Sequence, residues 1–285
     1  MSLKTNTLLL VFLVAVLLAA VQRGAAADRA GSKGKTAAAN PAVKLVPLVP
    51  KVDFGPRPLK GSLEHSEVLP PVKKELQTGA VFNAAVLPKV PLDEDWFWIP
   101  AWRAGTWRSQ SDILTYYKNF RTGEEHKGKF PRTFVSVVYK GFQKDRTGQI
   151  WEYRAAPYVQ MAGGGGFREV QIIKENKPVY VSNQKITMYL RGTSVRVDPR
   201  SNRIMATEQW ESLQTFQPAG NNRVTCTGST KFFDPQGRPS YIQKNTATFT
   251  RVAPFKPINS VQGKDLRTSF RKFLVQHKLD RLVPQ

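Results

Sequence analysis

Residues 93–255 form one long stretch in which β-branched and aromatic residues alternate with polar ones, and this pattern constrains the fold more than any other feature. Alternation with a period of two is typical of strands that have one covered face and one face in water. Gly, Pro, Asn and Asp, the residues of hairpin turns, recur between the alternating segments. They occupy residues 121–123, 145–148, 198–202, 219–222 and 234–237. Because strands joined by consecutive hairpins are antiparallel neighbours, the stretch predicts an antiparallel meander.

The alternating segments predict about nine strands. They cover residues 105–109, 113–120, 133–143, 149–154, 168–174, 185–197, 203–216, 223–233 and 241–252. A meander of this length commonly closes on itself, because closure removes the exposed edges at which sheets aggregate. We therefore predict a mainly β domain over residues 93–255, an antiparallel up-and-down β-barrel, with a two-sheet sandwich as the alternative.

The first 27 residues have the parts of a cleavable secretory signal peptide. Lys4 is followed by an apolar run over residues 8–21, and three alanines, residues 25–27, precede Asp28. The run is shorter than the roughly 20 residues that span a bilayer. We therefore expect a mature protein that begins near Asp28 and is secreted or periplasmic.

Residues 28–92 contain nine prolines, scattered lysines and few aromatic residues. Proline at this density removes backbone donors and favours an extended chain. The segment predicts a Pro-rich extended arm or linker without a core of its own, disordered in isolation. Valines and leucines between the prolines leave open that the arm lies along a partner or along its own domain.

The C-terminal tail, residues 256–285, predicts one amphipathic helix. Asp265 is placed to cap it, and an apolar stripe at helical spacing follows. The stripe consists of Leu266, Phe270, Phe273, Leu274 and His277. Packing of this stripe on the protein's own domain is favoured over binding to a membrane surface.

An aromatic cluster, residues 96–107, precedes the first predicted strand and ends in Gly105-Thr106-Trp107. This Gly-x-Trp sequence, Arg251 near the end of the last predicted strand, and the following helix resemble the lipocalin and broader calycin superfamily. The resemblance implies a lipocalin-like barrel in which Trp107 closes the floor. It also implies that Arg251 crosses above the Trp107 ring.

A closed barrel of this size has room for one small hydrophobic or amphipathic ligand. Six residues are the tentative ligand-binding set, although parity alone does not say which of them face inward. They are Trp210, Glu208, Trp151, Tyr153, Met188 and Tyr189. The alternative is a core that these side chains fill.

Glu208 has the parity of Ile204, Ala206 and Trp210, so it is predicted to point inward. A buried carboxylate needs a partner such as an arginine. Its role is either functional or that of a structural ion pair. Glu211 has the opposite parity and is predicted to be solvated.

The sequence gives little support for catalysis. The three histidines have no metal-ligand spacing, no nucleophile motif is present, and the single cysteine, Cys226, excludes an internal disulfide. Cys226 is expected to be buried. The glycine-rich run over residues 162–166 lacks a nucleotide-binding context and predicts a flexible loop. We therefore expect a protein that is not an enzyme and has no metal or cofactor, with catalysis by Glu208 as the least favoured hypothesis.

The formal net charge of +22 attracts polyanions. An anionic glycan or a membrane surface is the expected kind of partner, and sequence-specific nucleic acid is not. Two hypotheses of function follow. The first is an exported binding protein for a small apolar ligand, with a basic exterior for anionic surfaces. The alternative is a non-catalytic envelope interaction or structural module that binds a polyanion or a protein partner.

Overall fold

The computed structural model describes residues 65–89, 91, 93–164 and 166–284. The predicted signal peptide and the first part of the arm therefore lie outside the described residues. The strands are β1 (Asp93–Ile99), β2 (Gly105–Asn119), β3 (Glu125–Lys140), β4 (Gln143–Lys144), β5 (Ile150–Ala156), β6 (Tyr158–Gly164), β7 (Phe167–Val181), β8 (Ile186–Val197), β9 (Ile204–Pro218), β10 (Arg223–Phe233), β11 (Pro239–Ala253), β12 (Ser260–Val261) and β13 (Lys264–Asp265). The helix α1 spans Leu266–Gln276, and short 3₁₀ turns occur at Lys74–Leu76, Ala84–Val86, Ala101–Arg103 and Asp280–Leu282.

Eight strands form one antiparallel sheet in the order β3-β2-β11-β10-β9-β8-β7-β6. From β6 to β11 each strand pairs with the next one along the chain, and β11 then pairs with β2. The prediction of a mainly β, antiparallel fold is confirmed. In this hydrogen-bonding order β3 and β6 are the edge strands.

A second, three-stranded sheet has the order β1-β5-β4. Along the chain, β1 precedes β2, and β4 and β5 lie between the edge strands β3 and β6. Neither β1 nor β6 was among the predicted strands. Strand β1 contains three consecutive aromatic residues, Trp96, Phe97 and Trp98, because both faces of the strand are covered here. Strand β6 includes residues 162–164, which pair with β7, so the prediction that residues 162–166 form a loop is wrong for its first three residues.

Helix α1 packs on the small sheet. The Asp265 side chain caps the helix by accepting hydrogen bonds from the backbone N–H groups of Arg267 and Thr268. The buried face of the helix contacts Trp96 and Trp151, and the ring centroids of Trp96 and Phe270 are 4.8 Å apart. The predicted helix and its packing on its own domain are confirmed. No helix in the described ranges has the length and apolar character needed to span a bilayer.

The described part of the arm packs against the eight-stranded sheet. Its buried apolar side chains share one cluster with β7, β8 and β9. The cluster comprises Val72, Leu76, Phe82, Leu87, Val170, Ile172, Val195, Val197 and Ile204. Backbone hydrogen bonds run from Leu69 N to Gly237 O (2.9 Å) and from Gly79 N to Ile204 O (2.8 Å). Residues 65–89 therefore lie along their own domain, which was the second of the two possibilities.

Glu211 fastens the start of the arm to β9. Its carboxylate accepts hydrogen bonds from Ser66 N (2.7 Å), Ser66 Oγ (2.7 Å) and Tyr189 Oη (2.8 Å), and the residue is 1% exposed. His65 Nδ1 lies 4.0 Å from the same carboxylate. The prediction that Glu211 is solvated is wrong, because the arm covers the outer face of the sheet at this position.

Candidate ligand-binding site

A cavity of about 120 Å³, here called the chamber, lies on the inner face of the eight-stranded sheet. Its apolar wall is Phe97, Ile99, Val138, Ile186, Met188, Leu190, Phe216, Ala247 and Phe249. These residues come from β1, β3, β8, β9 and β11. Since side chains from an edge strand and from the middle of the sheet line one space, the sheet curves around the chamber.

A wider cavity of about 360 Å³, here called the mouth, adjoins the chamber. The two share six lining residues, which are Val138, Lys140, Glu152, Tyr153, Arg154 and Asn176. The mouth is also lined by Lys89, Glu94 and Lys264. The two cavities therefore form one continuous, mainly apolar space, and Lys89, Lys140, Arg154 and Lys264 line its mouth.

Ion pairs hold three of the four cations that line the mouth. Lys140 Nζ lies 3.0 Å from Glu152 Oε1, and Lys264 pairs with Glu94. Arg154 Nη2 lies 3.1 Å from Asp95 Oδ2. Each of these three cations therefore has a carboxylate partner of its own.

Arg103 is a buried cation in the wall of the chamber. It is 3% exposed, and its guanidinium carbon lies 3.9 Å from the centroid of the Phe216 ring. Within the described part of the chain its Nη1 atom has no hydrogen-bond partner. Burial lowers the pKa of Arg103 to about 10, so the side chain remains a cation at neutral pH. Sequence reasoning missed this residue, whose signal is a single arginine inside an aromatic cluster.

The 3₁₀ turn that carries Arg103 is held by the Trp107 and Arg251 pair. The Arg251 guanidinium lies 4.8 Å from the Trp107 ring centroid, and its Nη2 donates to Trp102 O (2.8 Å). The Trp107 indole N–H donates to Arg103 O (2.8 Å). This is the contact between Trp107 and Arg251 that the resemblance implied, and here it fixes the backbone on either side of Arg103.

Of the six tentative ligand-binding residues, Met188 lines the chamber and Tyr153 lines both cavities. Tyr189 does not fit the prediction, since it lies on the outer face of β8 and donates to Glu211. Successive residues of a strand point to opposite faces, so Tyr189 points away from the chamber that Met188 lines.

The two tryptophans of the tentative set are structural in this fold, and neither is among the residues that line the two cavities. Trp151 faces α1, and its indole N–H donates to Asp145 Oδ2 (2.9 Å). Trp210 is 0% exposed and donates to Ser194 Oγ (3.2 Å). A Cβ added to Gly192 would lie 2.5 Å from the Trp210 ring, so the indole occupies the space that this glycine leaves.

Glu208 is largely buried, but it is not among the residues that line either cavity. Tyr241 Oη donates to its carboxylate (3.4 Å). Burial is the main cause that raises the pKa of Glu208 to about 7, against the opposing effects of the Arg196 charge and the Tyr241 hydrogen bond. Arg196 acts on Glu208 through its charge, and its guanidinium lies over the Phe167 ring. Ile204 does not lie on the same face of β9 as Glu208, because the pairing of β8 with β9 shifts register between Arg196 and Val197.

No family model, curated protein or solved structure matches this chain. In the described ranges no group of three or more His, Cys, Asp or Glu side chains is arranged to hold a metal ion. The chamber and its mouth, with Arg103 in the wall, are therefore the features from which function is argued.

Proposed function

We propose that this protein is a lipocalin-like binding protein that holds a small hydrophobic or amphipathic molecule in the chamber. In this proposal the curved sheet and the β1-β5-β4 sheet together form the barrel wall. The observation that carries the proposal is the continuous, mainly apolar space behind a mouth lined by cations. Pockets for small molecules commonly combine an apolar lining with a few placed polar groups.

We further propose that the protein is exported and uses its basic exterior at anionic surfaces. The N-terminal sequence pattern and the net charge of +22 support this. Helix α1 adds exposed Arg267, Arg271 and Lys272, and exposed Lys278 follows the helix. Attraction of this kind weakens with salt, because exposed charges are screened over roughly 10 Å at 0.1 M ionic strength.

A pair of methionine substitutions tests ligand binding in the chamber. Met188→Trp fills part of the chamber, whereas Met161→Trp makes the same change at a residue that is 60% exposed on β6. We expect Met188→Trp to weaken binding of the apolar dye N-phenyl-1-naphthylamine about tenfold, because lost cavity space has to be regained by moving packed side chains.

The measurement is a fluorescence titration of the purified mature protein with the dye. Met161→Trp is expected to bind as the wild type does. Equal weakening in both variants, or a wild type that does not bind the dye, contradicts the proposed function.

A further inference from the structure

We propose that the ligand is an amphipathic carboxylate and that Arg103 binds its carboxylate at the inner end of the space. The inference rests on the proposed function and adds the chemical class and orientation of the ligand. The head group lies in the chamber, and the apolar chain extends towards the mouth.

The first observation is the isolation of the Arg103 charge. A buried ion is costly unless it is paired and hydrogen-bonded. Arg103 is 3% exposed, and its Nη1 has no hydrogen-bond partner in the part of the chain that the structure describes. An incoming carboxylate supplies both a counter-charge and acceptors for the guanidinium fork.

The second observation is that Glu152, whose negative charge acts on Arg103, forms no ion pair with it within the described residues. Glu152 already accepts from Lys140 Nζ (3.0 Å) and from Gly141 N (2.5 Å). Burial raises the pKa of the Cys226 thiol to about 12, so it is uncharged at neutral pH. The chamber therefore contains a positive charge that the protein does not balance by direct contact.

The third observation is the difference between the chamber and its mouth. Lys140, Arg154 and Lys264 each pair with a carboxylate of the protein. A ligand head group at one of these three cations has to compete with those partners, whereas one at Arg103 does not. Lys89, the fourth cation of the mouth, is exposed, so its charge is screened by water. The chamber wall includes the apolar side chains of Phe97, Ile186, Met188 and Phe249, which suit the first methylene groups of the chain.

Isothermal titration calorimetry with decanoate and decan-1-ol tests the inference, because the two probes differ in the head group alone. For the wild type we expect decanoate to bind about tenfold more tightly than decan-1-ol. Arg103→Met should abolish this preference and leave the affinity for decan-1-ol nearly unchanged. Lys264→Met, which removes a cation of the mouth, should retain the preference.

The outcomes separate the two proposals. If the wild type binds both probes with equal affinity, or if Arg103→Met keeps the preference, the carboxylate inference is overturned and the proposed function stands. If the wild type binds neither probe, the proposed function fails together with the inference. Loss of the preference in Lys264→Met but not in Arg103→Met places the head group at the mouth and overturns the orientation.

A measurement on the wild type covers the case in which Arg103→Met does not fold. Decanoate labelled with ¹³C at the carboxyl carbon reports its own ionisation by NMR. Beside a buried guanidinium, the bound carboxyl is expected to titrate about one unit below free decanoate. Titration at or above the free value overturns the inference.

Discussion

Glu211→Ala is expected to release the start of the arm from the sheet and to lower the free energy of unfolding by about 3 kcal/mol. The substitution removes a carboxylate that is 1% exposed and that accepts hydrogen bonds from Ser66 N, Ser66 Oγ and Tyr189 Oη. Hydrogen bonds to a charged group contribute about 1.5 to 3 kcal/mol each at most, and three of them end on this one side chain. Urea unfolding measures the stability, and hydrogen exchange at the amides of Leu69 and Val72, which donate to Gly237 O and Pro235 O, measures the release.

Glu175→Ala is the matched control for this prediction. Glu175 lies on β7, which β8 separates from β9; it pairs with Arg191 and Lys177 and keeps 29% of its side chain exposed. Ion pairs with this exposure contribute about 0 to 1 kcal/mol. If Glu211→Ala and Glu175→Ala lose equal stability and the arm amides stay protected, Glu211 does not fasten the arm.

Glu208→Gln is expected to be more stable than the wild type at pH 8 by about 3 kcal/mol, and equally stable near pH 4. The pKa of Glu208 is raised from 4.5 to about 7 in the folded protein. Between these values the folded state binds more protons than the unfolded state, so the stability of the wild type falls as pH rises through this range. Glutamine has no such titration, so the two stability curves separate over the same range.

The measurement is urea unfolding of both proteins from pH 4 to pH 8. His65, whose pKa is lowered chiefly by burial, is present in both proteins on the other side of the sheet and cancels in the difference. Glu75→Gln, at an exposed position, serves as the control and should follow the wild type at every pH. If the stabilities of Glu208→Gln and the wild type change in parallel from pH 4 to pH 8, Glu208 is not a buried carboxyl that gains a proton on folding.

The long strands were predictable from the sequence because one face of each strand points to the interior and the other does not. Apolar and polar residues therefore alternate along the strand. Strand β1 was missed for the opposite reason. Phe97 and Ile99 line the chamber, while Trp96 packs on α1, so apolar residues occupy both faces and no alternation remains. Strand β6 was missed because its last residues are glycines, which ordinarily indicate a loop.

The site was only partly predictable from parity. Parity separates the two faces of a strand but does not say what covers each face. Tyr189 and Glu211 were misassigned because the arm, distant in sequence, buries the outer face of β8 and β9. The sequence marks Arg103 only as a single arginine inside an aromatic cluster; its burial beside Phe216 depends on the three-dimensional placement of the turn.

Methionine methyl NMR tests the central claim, ligand binding inside the curved sheet, most directly. The described residues include Met161, Met188 and Met205. Met188 lines the chamber, while Met161 and Met205 are 60% and 56% exposed. In protein labelled with ¹³C at the methionine methyl groups, we predict that N-phenyl-1-naphthylamine shifts the Met188 resonance in a saturable way and leaves the other two unchanged. A bound dye that shifts Met161 or Met205 and leaves Met188 unmoved contradicts the account.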